Sequence, residues 1–162
     1  MNRLLIFLLV CLAAPCCMLA QTTQDFAARF MKENAGNKEY KCVTVGPKML
    51  EELLKLKCEE EDGKKFKEII SNVKSVRIVT SESEAEKCRK AALELLEKNS
   101  KRYSLYKSKD SAADYGDCMW VRRRSKQIVE FIYIEPAGDR EFMILNVTGL
   151  MADGFIDELI GI

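Results

Sequence analysis

The stretch from Asp117 to Gly149 constrains the fold of this chain more than any other. It divides into three extended runs, Cys118–Arg123, Gln127–Glu135 and Glu141–Val147. Arg124-Ser125-Lys126 and Pro136-Ala137-Gly138-Asp139 separate them. The runs are rich in β-branched and aromatic residues and the separators in turn formers, so the pattern predicts three strands. Strands joined by such short turns pair antiparallel, as a meander. Neither side of these strands is polar. In the middle run Ile128, Ile132 and Ile134 point one way and Val129, Phe131 and Tyr133 the other; in the last run Phe142 and Ile144 oppose Met143, Leu145 and Val147. Both sheet faces therefore read as apolar, the pattern of strands covered on both sides. Helices elsewhere in the chain account for one cover. The other falls to the N-terminal helix, a second copy or a partner.

The segment before residue 21 reads as a leader rather than as core. Arg3 is followed by an apolar run from Leu4 to Ala14, too short to span a bilayer, and Ala20 precedes Gln21-Thr22-Thr23-Gln24. This predicts a secretory signal, residues 1–20, and a single α+β domain, residues 21–162. Lipidation at Cys16 or Cys17 is the competing reading. Pro15 fits a lipobox poorly, so membrane anchoring is not favoured. The expected destination is the periplasm or outer cell envelope. Cleavage removes Arg3 and no acid, leaving 25 Lys+Arg against 25 Asp+Glu. A balance of zero supplies no field to steer the chain to nucleic acid or an anionic membrane.

Along the mature chain, Phe26, Ala27, Phe30 and Met31 predict a short amphipathic helix over 23–32. Tyr40–Val45 alternates as a strand, and Pro47 opens a helix with Met49, Leu50, Leu53, Leu54 and Leu56 in its stripe. Asp62 caps a second short helix bearing Phe66, Ile69 and Ile70, and Val73–Thr80 is the next strand. Ser83 and Glu86 form a capping box for a helix with Cys88, Ala91, Ala92, Leu95 and Leu96 on one face. Arg102–Lys107 is a further strand, and Asp153 caps a closing helix within Leu150–Ile160. The fold class is α+β: a mostly antiparallel sheet of about six strands, helices packed on one face, and the C-terminal three-stranded meander.

Candidate chemistry is sparse. The chain has no histidine, which removes the commonest general base and metal ligand. It has no Cys-x-x-Cys and no Gly-rich phosphate loop, and no cofactor is expected. Cys42, Cys58, Cys88 and Cys118 leave two readings open in an exported chain: two disulfides, or thiols packed as small hydrophobes. Ser81 and Ser83 read as helix caps. Asp110, Asp114 and Asp117 share a polar loop and are the carboxylates a hydrolase site would use; their spacing matches no calcium loop. Arg122-Arg123-Arg124-Ser125-Lys126 is the densest basic cluster, and the simplest reading is a charged hairpin end. Asp110-Ser111-Ala112 resembles an O-glycosylation acceptor, with Ser111 as the modified residue. Asn146-Val147-Thr148 matches an N-glycosylation pattern but falls in a core strand.

Several of these segments together carry a family resemblance: Val43–Leu50, Val76–Ser81, Trp120-Val121-Arg122-Arg123, Glu130–Ile134 and Asn146-Val147-Thr148-Gly149 before an Ile/Leu helix. The chain resembles domain-of-unknown-function family 4252, envelope proteins of Gram-negative gut bacteria and their relatives. The resemblance implies an exported α+β domain with no established activity and no catalytic residues to transfer. The expected function is therefore a non-enzymatic protein-interaction module, acting on a protein partner or by self-association. Trp120, Arg122, Phe131 and Tyr133 are its candidate surface. An apolar ligand or lipid carrier and a carboxylate-based hydrolase are the alternatives.

Overall fold

The computed structural model describes residues 24–57 (side chains of 53–57 excepted), 71–82, 84–106, 116–136 and 141–152, with 154 and 156. The elements in chain order are α1 (Phe26–Glu33), β1 (Lys41–Val45), α2 (Pro47–Lys57), β2 (Val73–Ser81), α3 (Ala85–Lys98), β3 (Ser104–Leu105), β4 (Met119–Arg124), β5 (Gln127–Ile134) and β6 (Phe142–Met151). Six strands form one sheet in the order β1-β2-β6-β5-β4-β3, and every neighbouring pair is antiparallel. The fold is α+β, with β4, β5 and β6 as the expected meander. The last strand to be made, β6, lies inside the sheet between β2 and β5.

Alternation along the strands sorts the side chains onto two faces. The first face carries Val79, Ile132, Ile134, Phe142 and Ile144, which pack with Phe26, Ala27 and Phe30 of α1 and Cys88, Ala92, Leu95 and Leu96 of α3. The aromatic rings interlock here: Phe30 meets Tyr40 edge-on at 5.0 Å between centroids and lies 6.0 Å from Phe142. The second face carries Val121, Phe131 and Val147, packed with Leu50 of α2, Tyr106, Met151 and Ile156. The N-terminal helix thus shares the first face with α3 and leaves the second to other parts of the chain.

A bulge corrects one face assignment. The register of β5 slips between Ile128 and Glu130 against β6, and against β4 between Arg122 and Arg123. The extra residue inverts the alternation. Ile128 consequently packs with Phe131 on the second face, not with Ile132 and Ile134. Other expectations change in extent. β6 continues past the expected Val147 to Met151; of the expected closing helix only Gly154 and Ile156 lie among the described residues. β3 has two residues rather than six, flanked by the buried Tyr103 and Tyr106. The cap of α3 is Glu84 in a left-handed conformation with no side-chain cap bond; Ser83, the expected cap, lies outside the described residues. Met49 is 51% exposed and Leu50 is buried; the side chains of Leu53, Leu54 and Leu56 lie outside the described residues. The helix expected after Asp62, the signal segment and the glycosylation candidate Ser111 all lie outside the described residues.

Candidate functional site

The first face changes character past Ile132 and Ile144. Glu130 on β5 and Asn146 on β6 are fully buried beneath the start of α1. The leading N–H groups of a helix have no partners within it. Three acceptors take them in succession. Glu130 Oε1 accepts from Phe26 N–H at 2.5 Å, Asn146 Oδ1 from Ala27 N–H at 3.0 Å, and the Asp25 cap from Ala28 N–H at 2.8 Å. The carboxylate charges also face the positive end of the helix dipole. Arg122 Nε donates to Glu130 Oε2 at 2.7 Å, and Asn146 Nδ2 donates to Glu130 Oε1 and to the Phe131 carbonyl, each at 3.2 Å. Arg77 lies 3.3 Å from Asp25, and Arg102 donates to the Gln24 carbonyl at 2.6 Å. Tyr103 meets Phe26 edge-on at 5.8 Å, its buried hydroxyl without a hydrogen-bond partner. Burial, and next the charge of Glu130, push its pKa up to about 12. This latch seats the N-terminal helix on the sheet. Its buried acceptors are spent on groups within the protein.

The second face is unevenly covered. Val121, Phe131 and Val147 are closed over, with Leu50, Tyr106 and Ile156 in the same cluster. The adjoining row runs Val43, Ile78, Leu145, Tyr133, one residue from each of β1, β2, β6 and β5 in direct register. Ile78, Leu145 and Tyr133 are half-buried and Val43 is 57% exposed. These four apolar residues form a strip ending at β1, the outer strand.

The residues singled out from sequence do not gather in one place. Trp120 and Arg122 lie on the first face: Trp120 packs against its core, with Nε1 donating to the Asp117 carbonyl at 2.8 Å, and Arg122 serves Glu130. Phe131 and Tyr133 lie on the second face, and Phe131 is buried, so the four residues make no common surface. Arg122 also leaves the basic cluster, whose other members, Arg123, Arg124 and Lys126, are exposed at the hairpin end. Asp117 pairs with Arg89, which also donates to the Glu135 carbonyl at 2.6 Å; Asp110 and Asp114 lie outside the described residues. Cys42 is exposed, Cys88 buried beside Tyr40 and Cys118 half-buried, with no disulfide among the described residues; Cys58 lies outside them. That contact with Cys88, after burial itself, holds the Tyr40 hydroxyl far above the usual phenol range. Reading by sequence missed Glu130 and Asn146 as a pair. Their signal was present: each is a polar residue set among apolar ones in a core strand.

A family model described as a domain of unknown function, DUF4252, matches residues 30–158. No curated protein and no solved structure matches the chain. Among the described residues no helix is long and apolar enough to cross a membrane.

Proposed function

The chain belongs to the DUF4252 family, and from that premise we propose that it is a non-enzymatic, exported cell-envelope domain that works by binding another protein. The observation that carries this reading is the strip Val43, Ile78, Leu145 and Tyr133, part-exposed beside Val121, Phe131 and Val147 of the same face, which are closed over. Contiguous apolar surface on a folded domain marks a place of contact, and Tyr133 offers an aromatic anchor of the kind enriched at interface centres. The latch under α1 supports the same reading, because it uses its carboxylate and amide to hold the chain together. A mature charge balance of zero favours apolar contact over electrostatic capture. The apolar leader after Arg3 supports export.

A photo-crosslinking aromatic residue placed at Tyr133 tests the reading in native envelope extracts. We expect a discrete adduct with another protein, absent when the same residue is placed at Leu105, which is exposed away from the strip. Adducts with lipid alone would replace the reading with that of an apolar ligand carrier. No adduct at Tyr133 would remove its basis.

A further inference from the structure

We propose that the outer edge of β1 is a self-pairing edge, along which a second copy of this chain adds its own β1 antiparallel. A sheet edge presents unpaired N–H and C=O groups and is normally protected by brevity, proline, a bulge or a free charge. The opposite edge of this sheet, β3, is protected by brevity, with two residues. Of these devices β1 carries one charged side chain and no other. It holds five residues in unbroken register with β2, no proline and no bulge. Its one charge, Lys41, is engaged by Glu82 at 2.8 Å. Lys41–Thr44 are exposed and Val45 half-buried, so nothing described lies over the strand.

The occupant follows from what the edge accepts. A chain of zero mature charge does not repel its own copy. Full overlap of two antiparallel Lys41–Val45 strands centres the two-fold axis on Val43, setting Lys41 opposite the partner copy's Val45 and Cys42 opposite its Thr44. No like charges meet. Val43 then meets its own equivalent, which buries the most exposed member of the strip. The strip Tyr133, Leu145, Ile78, Val43 runs on without a break into the same residues of the second copy. This goes beyond the proposed contact with another protein, since it concerns the edge of the sheet rather than its face.

The register gives a chemical readout. The two Cys42 residues stand diagonally on one face, about 7–8 Å apart and somewhat closer at Cβ. That is too far for a disulfide and within reach of a short bis-maleimide. Sedimentation of the mature chain should show a dimer, and the reagent should link it covalently, with linkage lost in Cys42→Ser. Successive strand residues turn their N–H groups to opposite sides. Of Val43→Pro and Thr44→Pro, one therefore removes a donor to β2 and lowers Tm at every concentration; the other removes an outward donor and gives a monomer that keeps the Tm of the wild-type chain diluted below its dimerisation range. A chain monomeric at every concentration overturns the proposal. So does a dimer that survives both proline variants, or linkage that persists without Cys42.

Discussion

Tyr103 shows how one atom can work against the fold that holds it. Its ring closes the aromatic contact with Phe26, while its hydroxyl is buried with no hydrogen-bond partner. A buried polar group without a partner forfeits the hydration it had in the unfolded chain, at about 1–3 kcal/mol. Tyr103→Phe keeps the ring and removes the liability. We expect it to be neutral or stabilising by about 1 kcal/mol at neutral pH, read from the urea midpoint. The sign of the pH dependence follows from the same burial. The folded pKa stands at about 12 against an ordinary value of 10.0, so the neutral phenol is the form the fold accepts. Its contribution is fully present below pH 10 and is lost as pH rises through 12. Tyr40 shifts in the same direction. Wild-type stability should fall across this window, and the Tyr103→Phe variant should fall less. An unchanged alkaline slope would contradict the assignment.

Among the elements, β6 passes close against the start of β2 at Gly149. Where it passes the start of β2, Leu150 N–H donates to the Asn72 carbonyl at 3.0 Å. A methyl group on Gly149 would come within 2.2 Å of that carbonyl oxygen and 2.9 Å of Val73 Cα. Both obstacles are backbone, so no side chain can swing aside. Gly149→Ala should cost about 1–3 kcal/mol or more, as a lowered urea midpoint at unchanged m-value. The adjacent bulge, between Val73 and Ser75, lets Val73 face the second core while Ser75 bonds Thr148 at 2.7 Å on the first face. The helix α1 depends on its seat in a similar way. Phe26, Ala27 and Phe30 are fully buried, and its first N–H groups are satisfied by Asp25, Glu130 and Asn146, the last two from the sheet.

For the molecule as a whole, order in space departs from order in sequence. β6 pairs with β5 next to it in the chain and with β2, from Ser81 opposite Phe142 to Val73 opposite Gly149. Until that pairing forms, β1-β2 and β3-β4-β5 are separate pieces. Joining strands so far apart in sequence requires loop closure before any contact repays it. Refolding followed by stopped-flow fluorescence of Trp120 should therefore proceed in milliseconds to seconds. Microsecond refolding would mean that the β2–β6 pairing does not limit the reaction.

The elements were legible because their causes are local. Period-two runs of Ile, Val, Phe and Tyr make β4, β5 and β6, Pro47 opens α2, and the stripe of Phe26, Ala27 and Phe30 makes α1. Composition and the absence of histidine bounded the chemistry in the same way. What the chain could not disclose by itself depends on relations between distant residues. Alternation puts Ile128 with Ile132, and a single bulge against β4 and β6 puts it on the other face. Glu130 and Asn146 look like flaws in apolar strands until the start of α1, over 100 residues earlier in the chain, supplies the N–H groups they accept. Val43 and Tyr133 share one strip only because β6 enters between β2 and β5. Local sequence sets backbone conformation through sterics and hydrogen bonding; which faces are covered is decided by the burial of surfaces that meet only in the folded chain.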